Sequence, residues 1–405
     1  MRSALVLAAL LAGPASAIYV PLHEYAGSTF FDGWDFWGNV DNTTWGNVTY
    51  LDRAGATAQR LAYVNSAGNA IIKVDNTTNI ALAPLVNRPS VRHILRAYST
   101  ITHAVAPQVR LTSKESYGVG TLWLIDVVHM PYGCSVWPSF WTLGTGKEWP
   151  GAGEIDIIEG INLMSHNQMA LHATAGCAQA ASAAQGQSGT TLEGDCSLDR
   201  GCIVAENKPN SFGVGFANAG GGVWAVQMDV SGVFIWFWSR PQVPDIIRTA
   251  TSKTNIDTTA FGLPSAAYPA ASGCNITQYF GPQQFVLLTT LCGSWAGVPN
   301  IYSSTCPGQC VSDNVIGPGS PKYDTAYWEI PYIRTYIADN LAPPAASLVP
   351  SSSSTRNVPT PSASATGGNG TAPGSSDGKN AAKAISATGG AMLIGILGTL
   401  VGTFV

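Results

Sequence analysis

The eight residues from Gly153 to Gly160, Gly-Glu-Ile-Asp-Ile-Ile-Glu-Gly, constrain the fold more than any other stretch of the chain. β-Branched isoleucines favour an extended backbone, whose side chains alternate between two faces. Ile155 and Ile157 then share one apolar face, while Glu154 and Asp156 share the other. Glu159 breaks that parity, since a regular strand would turn it to the isoleucine side. One extra residue, a β-bulge, restores the parity, and bulges recur beside active sites because they re-aim a side chain. The expectation is three carboxylates on one face of a bulged strand, held in a groove. A merely solvated charge run fits badly beside Ile155, Ile157 and Ile158.

Between Ile18 and Asp339 the pattern is of short strands separated by Gly, Pro and Asn, with no convincing long amphipathic helix. Val223 to Asp229 and Val233 to Ser239 flank Val230-Ser231-Gly232 and read as a hairpin. Tyr117 to His129 and Tyr327 to Tyr336 read as further strands. Such a succession predicts an all-β sandwich or jelly roll, whose curved face can hold an extended polymer. Trp236 and Trp238 share one face of their strand and are expected to pack within the protein rather than against a ligand.

The ends of the 405-residue chain have a different character. Met1-Arg2-Ser3, an apolar run to Ala12 and then Ala15-Ser16-Ala17 predict a signal peptide over 1–17, with a membrane anchor as the rival reading. Residues 18–340 are the expected catalytic domain. Residues 341–380 are rich in Ser, Pro, Thr, Ala and Gly, too poor in large apolar side chains to fold, and read as a glycosylated stalk. Asn380-Ala381-Ala382, a polar spacer and the apolar tail from Ala391 to Val405 follow the order of a GPI signal, with attachment at Asn380 and residues 381–405 removed; Ser375, Ser376 and Gly378 are competing attachment sites. A tail-anchored helix is the alternative. The expected location is the outer face of the plasma membrane or the cell wall.

Secretion fits two further features. Asn42, Asn47, Asn76, Asn275 and Asn369 each open an Asn-x-Thr sequon. All eight cysteines fall between Cys134 and Cys310, which predicts up to four disulfides. Cys306 and Cys310 have zinc-knuckle spacing, but an oxidising compartment favours disulfides. A net charge of −4 with 11% charged residues offers no basic track for nucleic acid. Twelve tryptophans and fourteen tyrosines suit a neutral sugar ligand as well as a core.

Glycosidic cleavage needs one carboxyl group to protonate the leaving oxygen and another to attack the anomeric carbon or activate water. Glu154 and Glu159 on one face of a bulged strand satisfy that demand. Asp156 between them is placed to tune a partner's proton affinity. No cofactor and no catalytic metal is called for, because two carboxylates suffice.

Trp137-Pro138-Ser139-Phe140-Trp141, Trp149-Pro150, Gly153 to Gly160, Asn167-Gln168 and Leu171-His172 together resemble the signature of glycoside hydrolase family 16. The likeness runs from about Phe30 to Tyr336, and the chain is specifically similar to fungal laminarinase-type endo-1,3(4)-β-glucanases. It implies a β-jelly roll of two antiparallel sheets, with a substrate cleft on the concave sheet and retention of anomeric configuration. By the family pattern Glu154 is the nucleophile, Glu159 the general acid/base and Asp156 the assisting carboxylate. Two residues between Asp156 and Glu159 match the bulged branch, whereas licheninases and chitin-glucan crosslinking transglycosylases have one.

The resemblance also places Trp141, Trp149, His172 and Trp295 along the cleft. Ser294 stands where the family usually has Asp, and Thr49 where Asn is common. A glycan at Asn47 would crowd one end of the cleft. The family runs from Ser-Val-Arg directly into Leu-Thr-Ser-Lys, but here His93 to Arg110 intervene between Arg92 and Leu111. The extra residues are a loop, a register shift or a retained intron, and the last is favoured. Arg110, directly before Leu111, is preferred over Arg92 as the substrate-binding arginine.

The leading expectation is a monomeric, GPI-anchored endo-β-glucanase that meets β-glucan in the cell wall. A transglycosylase using the same glutamates is the first alternative. A non-catalytic β-glucan-binding protein is the second, and it should have lost a glutamate.

Overall fold

The computed structural model describes residues 18–81, 105–179 and 186–342. The expected signal peptide, most of the extra segment including Arg92, the stalk with Asn369, and the anchor signal with Asn380 lie outside these residues. Two antiparallel sheets face one another. The seven-stranded sheet runs in the order Ile256–Asp257, Ile18–Ala26, Tyr332–Ala338, Thr121–Val127, Gly222–Asp229, Gly232–Ser239, Ala266–Pro269. The eight-stranded sheet runs Thr190–Thr191, Cys202–Ala205, Gln168–His172, Glu154–Glu159, Val136–Gly144, Gln283–Leu291, Arg110–Ser113, Trp34–Phe36. This is the expected jelly-roll sandwich, and no α-helix among the described residues is longer than six residues.

The core lies between the sheets. Trp123, Ile125, Trp224, Val226, Ile235 and Phe237 from one sheet meet Phe140, Ile155, Ile157, Ile158, Leu171, Phe285 and Leu287 from the other, all fully buried. Each strand therefore spends alternate residues on this layer and offers the rest to its outer face. The expected hairpin forms from Gly222 to Ser239, with Val223 opposite Trp238, but Asp229 pairs with Gly232, so the connection is Val230-Ser231 and Gly232 belongs to the second strand.

The outer face of the seven-stranded sheet is sealed. Trp236 and Trp238 pack there with Phe234, Val243, Ile247 and Phe261, and the Trp236 indole N–H donates to the Gly262 carbonyl at 2.9 Å. Both tryptophans are core, as expected. Trp236→Ala is predicted to cost about 3–5 kcal/mol in urea unfolding, with oligosaccharide affinity unchanged; an affinity change would contradict this placement.

Two strand readings need correction. Tyr327 to Tyr336 is not one strand: Tyr327–Ile330 pairs with Ala70–Lys73 in a small three-stranded sheet, and Tyr332–Ala338 joins the large one. Pro331 separates them, because it lacks the N–H that a continuous ladder needs. Tyr117 to His129 is shorter as a strand, Thr121–Val127, and its two ends make only isolated bridges.

All eight cysteines are paired, as Cys134–Cys306, Cys177–Cys274, Cys196–Cys202 and Cys292–Cys310. Cys306 and Cys310 thus belong to different bonds, which excludes the zinc-knuckle reading. These two bonds tie residues 299–316 to the outer face of the eight-stranded sheet. There Tyr302, Val48, Tyr50 and Val74 cover Val286, Leu288 and part of Trp141. The cover spans only one side of that face. The rest, along the strands centred on Glu154–Glu159, is the open cleft. Ala106–Gln108, from the end of the extra segment, pairs in parallel with Val48–Tyr50 and belongs to this cover.

Candidate active site

The acidic strand is bulged where the parity argument required. Phe140 pairs with Ile158 but Trp141 with Asp156, so Ile157 has no partner of its own on that side. On the other side Asp156 pairs with Ala170 and Glu159 with Gln168, three steps of one strand against two of its neighbour. All three isoleucines are fully buried in the core, while Glu154, Asp156 and Glu159 point into the cleft. Glycines fix both ends of the strand. At Gly153, with φ +75°, a Cβ would come within 2.3 Å of the Phe280 ring, and at Gly160 within 2.6 Å of Phe212.

Asn167 clamps the bulge. Its Nδ2 donates to the Ile157 carbonyl at 2.8 Å and its Oδ1 accepts from the Glu159 N–H at 2.9 Å, satisfying two backbone groups that the irregular ladder leaves unpaired. Asn167 and Gln168 carry the family resemblance, but their sequence shows no role. The only signal was a buried-type amide close to an expected bulge.

Each glutamate has its own indole donor. Trp149, 53% exposed, donates Nε1–H to Glu154 Oε2 at 2.8 Å. Trp137 donates Nε1–H to Glu159 Oε1 at 2.9 Å, and Ser139 adds its hydroxyl at 3.1 Å. Trp137 and Ser139 were missed as site residues, although alternation from Trp141 places all three on one face. Trp295 stacks edge-on against Trp137 with ring centroids 5.4 Å apart, and so reaches Glu159 through it. Ser294 is anchored by its backbone N–H to the Thr44 carbonyl.

His172 lies opposite Glu154 in the ladder, its Nε2 3.3 Å from Asp156 Oδ2 and 3.8 Å from Glu154 Oε1. Its ring centroid is 5.9 Å from that of Trp149. Asp156 Oδ2 and His172 Nδ1 are buried without a hydrogen-bond partner. Glu154, Asp156 and His172 also form a group of acidic and imidazole side chains close enough to hold a cation, their ligand atoms lying within 4.8 Å of one another. Arg110 closes the other side of the site. It is buried beside Trp141, and Glu154 is among the charges acting on it. Of the sequons, Asn42 and Asn275 are exposed, while Asn47 and Asn76 are half-buried.

Burial raises the proton affinity of all three carboxyl groups, and repulsion from Asp156 is the second cause for both glutamates. Glu159 is pushed up to about 7, and Glu154 and Asp156 rise in the same direction. Three crowded acids cannot all ionise, so at neutral pH the cluster retains a proton. The effect on stability has a definite sign. Glu159's folded-state value is raised from 4.5, so its contribution is full below about 4.5 and is lost as pH rises through about 7. Glu159→Gln is therefore expected to gain Tm relative to the unaltered protein over that interval, measured by calorimetry from pH 4 to 8. A gap that narrows with rising pH would contradict this.

A two-sheet β-sandwich that opens one face around indole-held glutamates is the architecture of a polysaccharide-directed glycosidase. The profile of the XgeA-like, catalytic GH16 domain matches residues 34–336. The chain belongs to glycoside hydrolase family 16. A probable glycosidase of Schizosaccharomyces pombe is 33% identical over 325 residues, 78% of this chain and 69% of that protein. A probable endo-1,3(4)-β-glucanase of Aspergillus niger is 35% identical over 346 residues, 82% of this chain, which spans only 42% of that relative's length. Laminarinase 16A from Phanerochaete chrysosporium, solved with β-glucans in donor and acceptor sites, matches with a TM-score of 0.69 at 32% identity, over 79% of this chain and 100% of that one. An elongating GH family 16 β-1,3-glucosyltransferase matches with a TM-score of 0.67 at 34% identity, over 78% and 99%.

Proposed function

We propose that this protein is a retaining endo-β-glucanase that cuts β-1,3- or mixed β-1,3/1,4-glucan during cell-wall remodelling. The observation that carries the reading is the bulge, which brings Glu154 and Glu159 to one face of one strand, each with a separate indole donor. The glucanase names of several relatives and the β-glucans bound to the matching laminarinase support the substrate class.

In the first step Glu159 gives its proton to the glycosidic oxygen as the bond from that oxygen to the anomeric carbon breaks. The Glu154 carboxylate attacks the same carbon from the opposite face and forms a glycosyl ester. Glu159, now ionised, then takes a proton from water, whose oxygen attacks the anomeric carbon and releases Glu154. A proton affinity near 7 keeps Glu159 loaded for the first step at mildly acidic pH. His172 lies against both Glu154 and Asp156 and favours the ionised form of Glu154, opposing the repulsion from Asp156. The leaving portion of the chain lies toward Trp137 and Trp295, and the portion retained on Glu154 lies toward Trp141 and Arg110.

Digestion of linear β-1,3-glucan, mixed-linkage glucan and chitin, with products sized, tests the reading. Shortening of either glucan and none of chitin is expected; cleavage of chitin alone, or of nothing, overturns it. Transfer in place of hydrolysis is the second reading, favoured by the likeness to the elongating glucosyltransferase. It would show as products longer than the substrate. Placement at the cell surface through a GPI anchor on Asn380 rests on the order of the C-terminal segments, and loss of surface protein after phospholipase C treatment tests it.

A further inference from the structure

Trp37 continues the edge strand Trp34–Phe36, and its backbone N–H donates to the Arg110 carbonyl at 3.1 Å. Its indole N–H donates to the Val40 carbonyl at 3.0 Å, which fixes the ring on its own loop. That ring lies over the Arg110 guanidinium, 5.2 Å from Cζ to centroid, while Trp141 approaches the same guanidinium at 5.9 Å. Arg110 is 6% exposed and its Nε has no partner; its Nη1 donates at 3.3 Å to Asn42 Oδ1 and 3.4 Å to Thr43 Oγ1. A buried cation with an unused donor, set between two indoles, is built to receive something polar with an apolar face.

The direction of this row matters. Trp141 pairs with Asp156, toward the Glu154 end of the strand, and Arg110 lies against Trp141, whereas Glu159 is bonded by Trp137, on which Trp295 packs. Trp141, Arg110 and Trp37 therefore lead away from the reacting bond on the side of the retained sugar. Exposure rises along the row, from 8% at Trp141 to 42% at Trp37. A residue serving only to shield Arg110 would be expected to bury its ring against it. Trp37 instead leaves much of an immobilised indole in water.

Resting on the β-glucanase reading above, we infer that Trp37 is a distal subsite that stacks on a glucosyl residue of the retained chain beyond the one held at Trp141. The enzyme thereby favours longer chains. Its ring offers an apolar surface at little entropic cost, because the Val40 hydrogen bond has already fixed it.

The test is calorimetric titration of linear β-1,3-gluco-oligosaccharides of increasing length into the Glu159→Gln variant, with and without Trp37→Ala. Affinity should rise stepwise with length, and Trp37→Ala should abolish only the last step, by about fivefold to tenfold. Trp37→Tyr should keep most of that step. Equal weakening at every length would mean that Trp37 merely shields Arg110, and no weakening would mean that it binds nothing; either result overturns the inference. If the unaltered enzyme is inactive on β-glucan and Glu159→Gln binds no oligosaccharide, the β-glucanase reading itself falls, whereas an active unaltered enzyme whose Glu159→Gln length ladder is indifferent to Trp37 overturns the subsite alone.

Discussion

Glu154→Gln is expected to lower kcat on β-glucan by about 10⁴-fold, with the fold retained and Tm no lower than that of the unaltered protein. The substitution keeps the size of the side chain and its contact with the Trp149 indole but removes the attacking charge. Glu159→Gln should cost about 10²- to 10⁴-fold, and the loss should shrink on aryl glycosides whose leaving groups need no proton. The two variants are further separated by azide. Added to Glu154→Ala it should give a glycosyl azide of inverted configuration, because the small anion enters the space of the lost carboxylate. Activity near that of the unaltered enzyme in either glutamine variant would remove the assigned roles.

Asn167→Ala is expected to be the most damaging substitution outside the carboxylates. Both functional ends of this side chain are engaged, one by the Ile157 carbonyl and one by the Glu159 N–H, and the residue is 1% exposed. Its removal leaves two buried backbone groups without partners, at about 1–3 kcal/mol each. Without the clamp the bulge is free to relax, and Glu159 loses its aim. The expected result is a lower urea midpoint together with a kcat loss comparable to that of Glu159→Gln. Unchanged stability would show that the bulge is held by the ladder alone.

Much of this was legible in the sequence because it depends on period. Alternation fixed the faces of Glu154, Asp156, Trp236 and Trp238, and the broken alternation at Glu159 required the bulge. The hairpin from Val223 to Ser239 announced itself through Val230-Ser231-Gly232 between β-rich arms. Strand limits were less readable: Pro331 splits two strands that belong to different sheets, and only pairing partners reveal that. The sets of residues brought together from far apart were not readable. Asn167 against Ile157, Trp37 against Arg110 and each disulfide partner depend on how the sheets fold over one another, which no local pattern encodes. Asp41 is another case. It is buried and accepts hydrogen bonds from Thr43, Thr44, Gly46 and Thr290, which sets the loop that carries Asn42 beside Arg110.

The central claim is that Glu154 forms a covalent bond with the sugar, and the anomeric form of the first product tests it most directly. Proton NMR during the first minutes of β-1,3-gluco-oligosaccharide hydrolysis should show the β-anomer appearing first, with the α-anomer growing in only by mutarotation. An α-anomer formed first would contradict the account, because it would mean that water attacks the sugar directly.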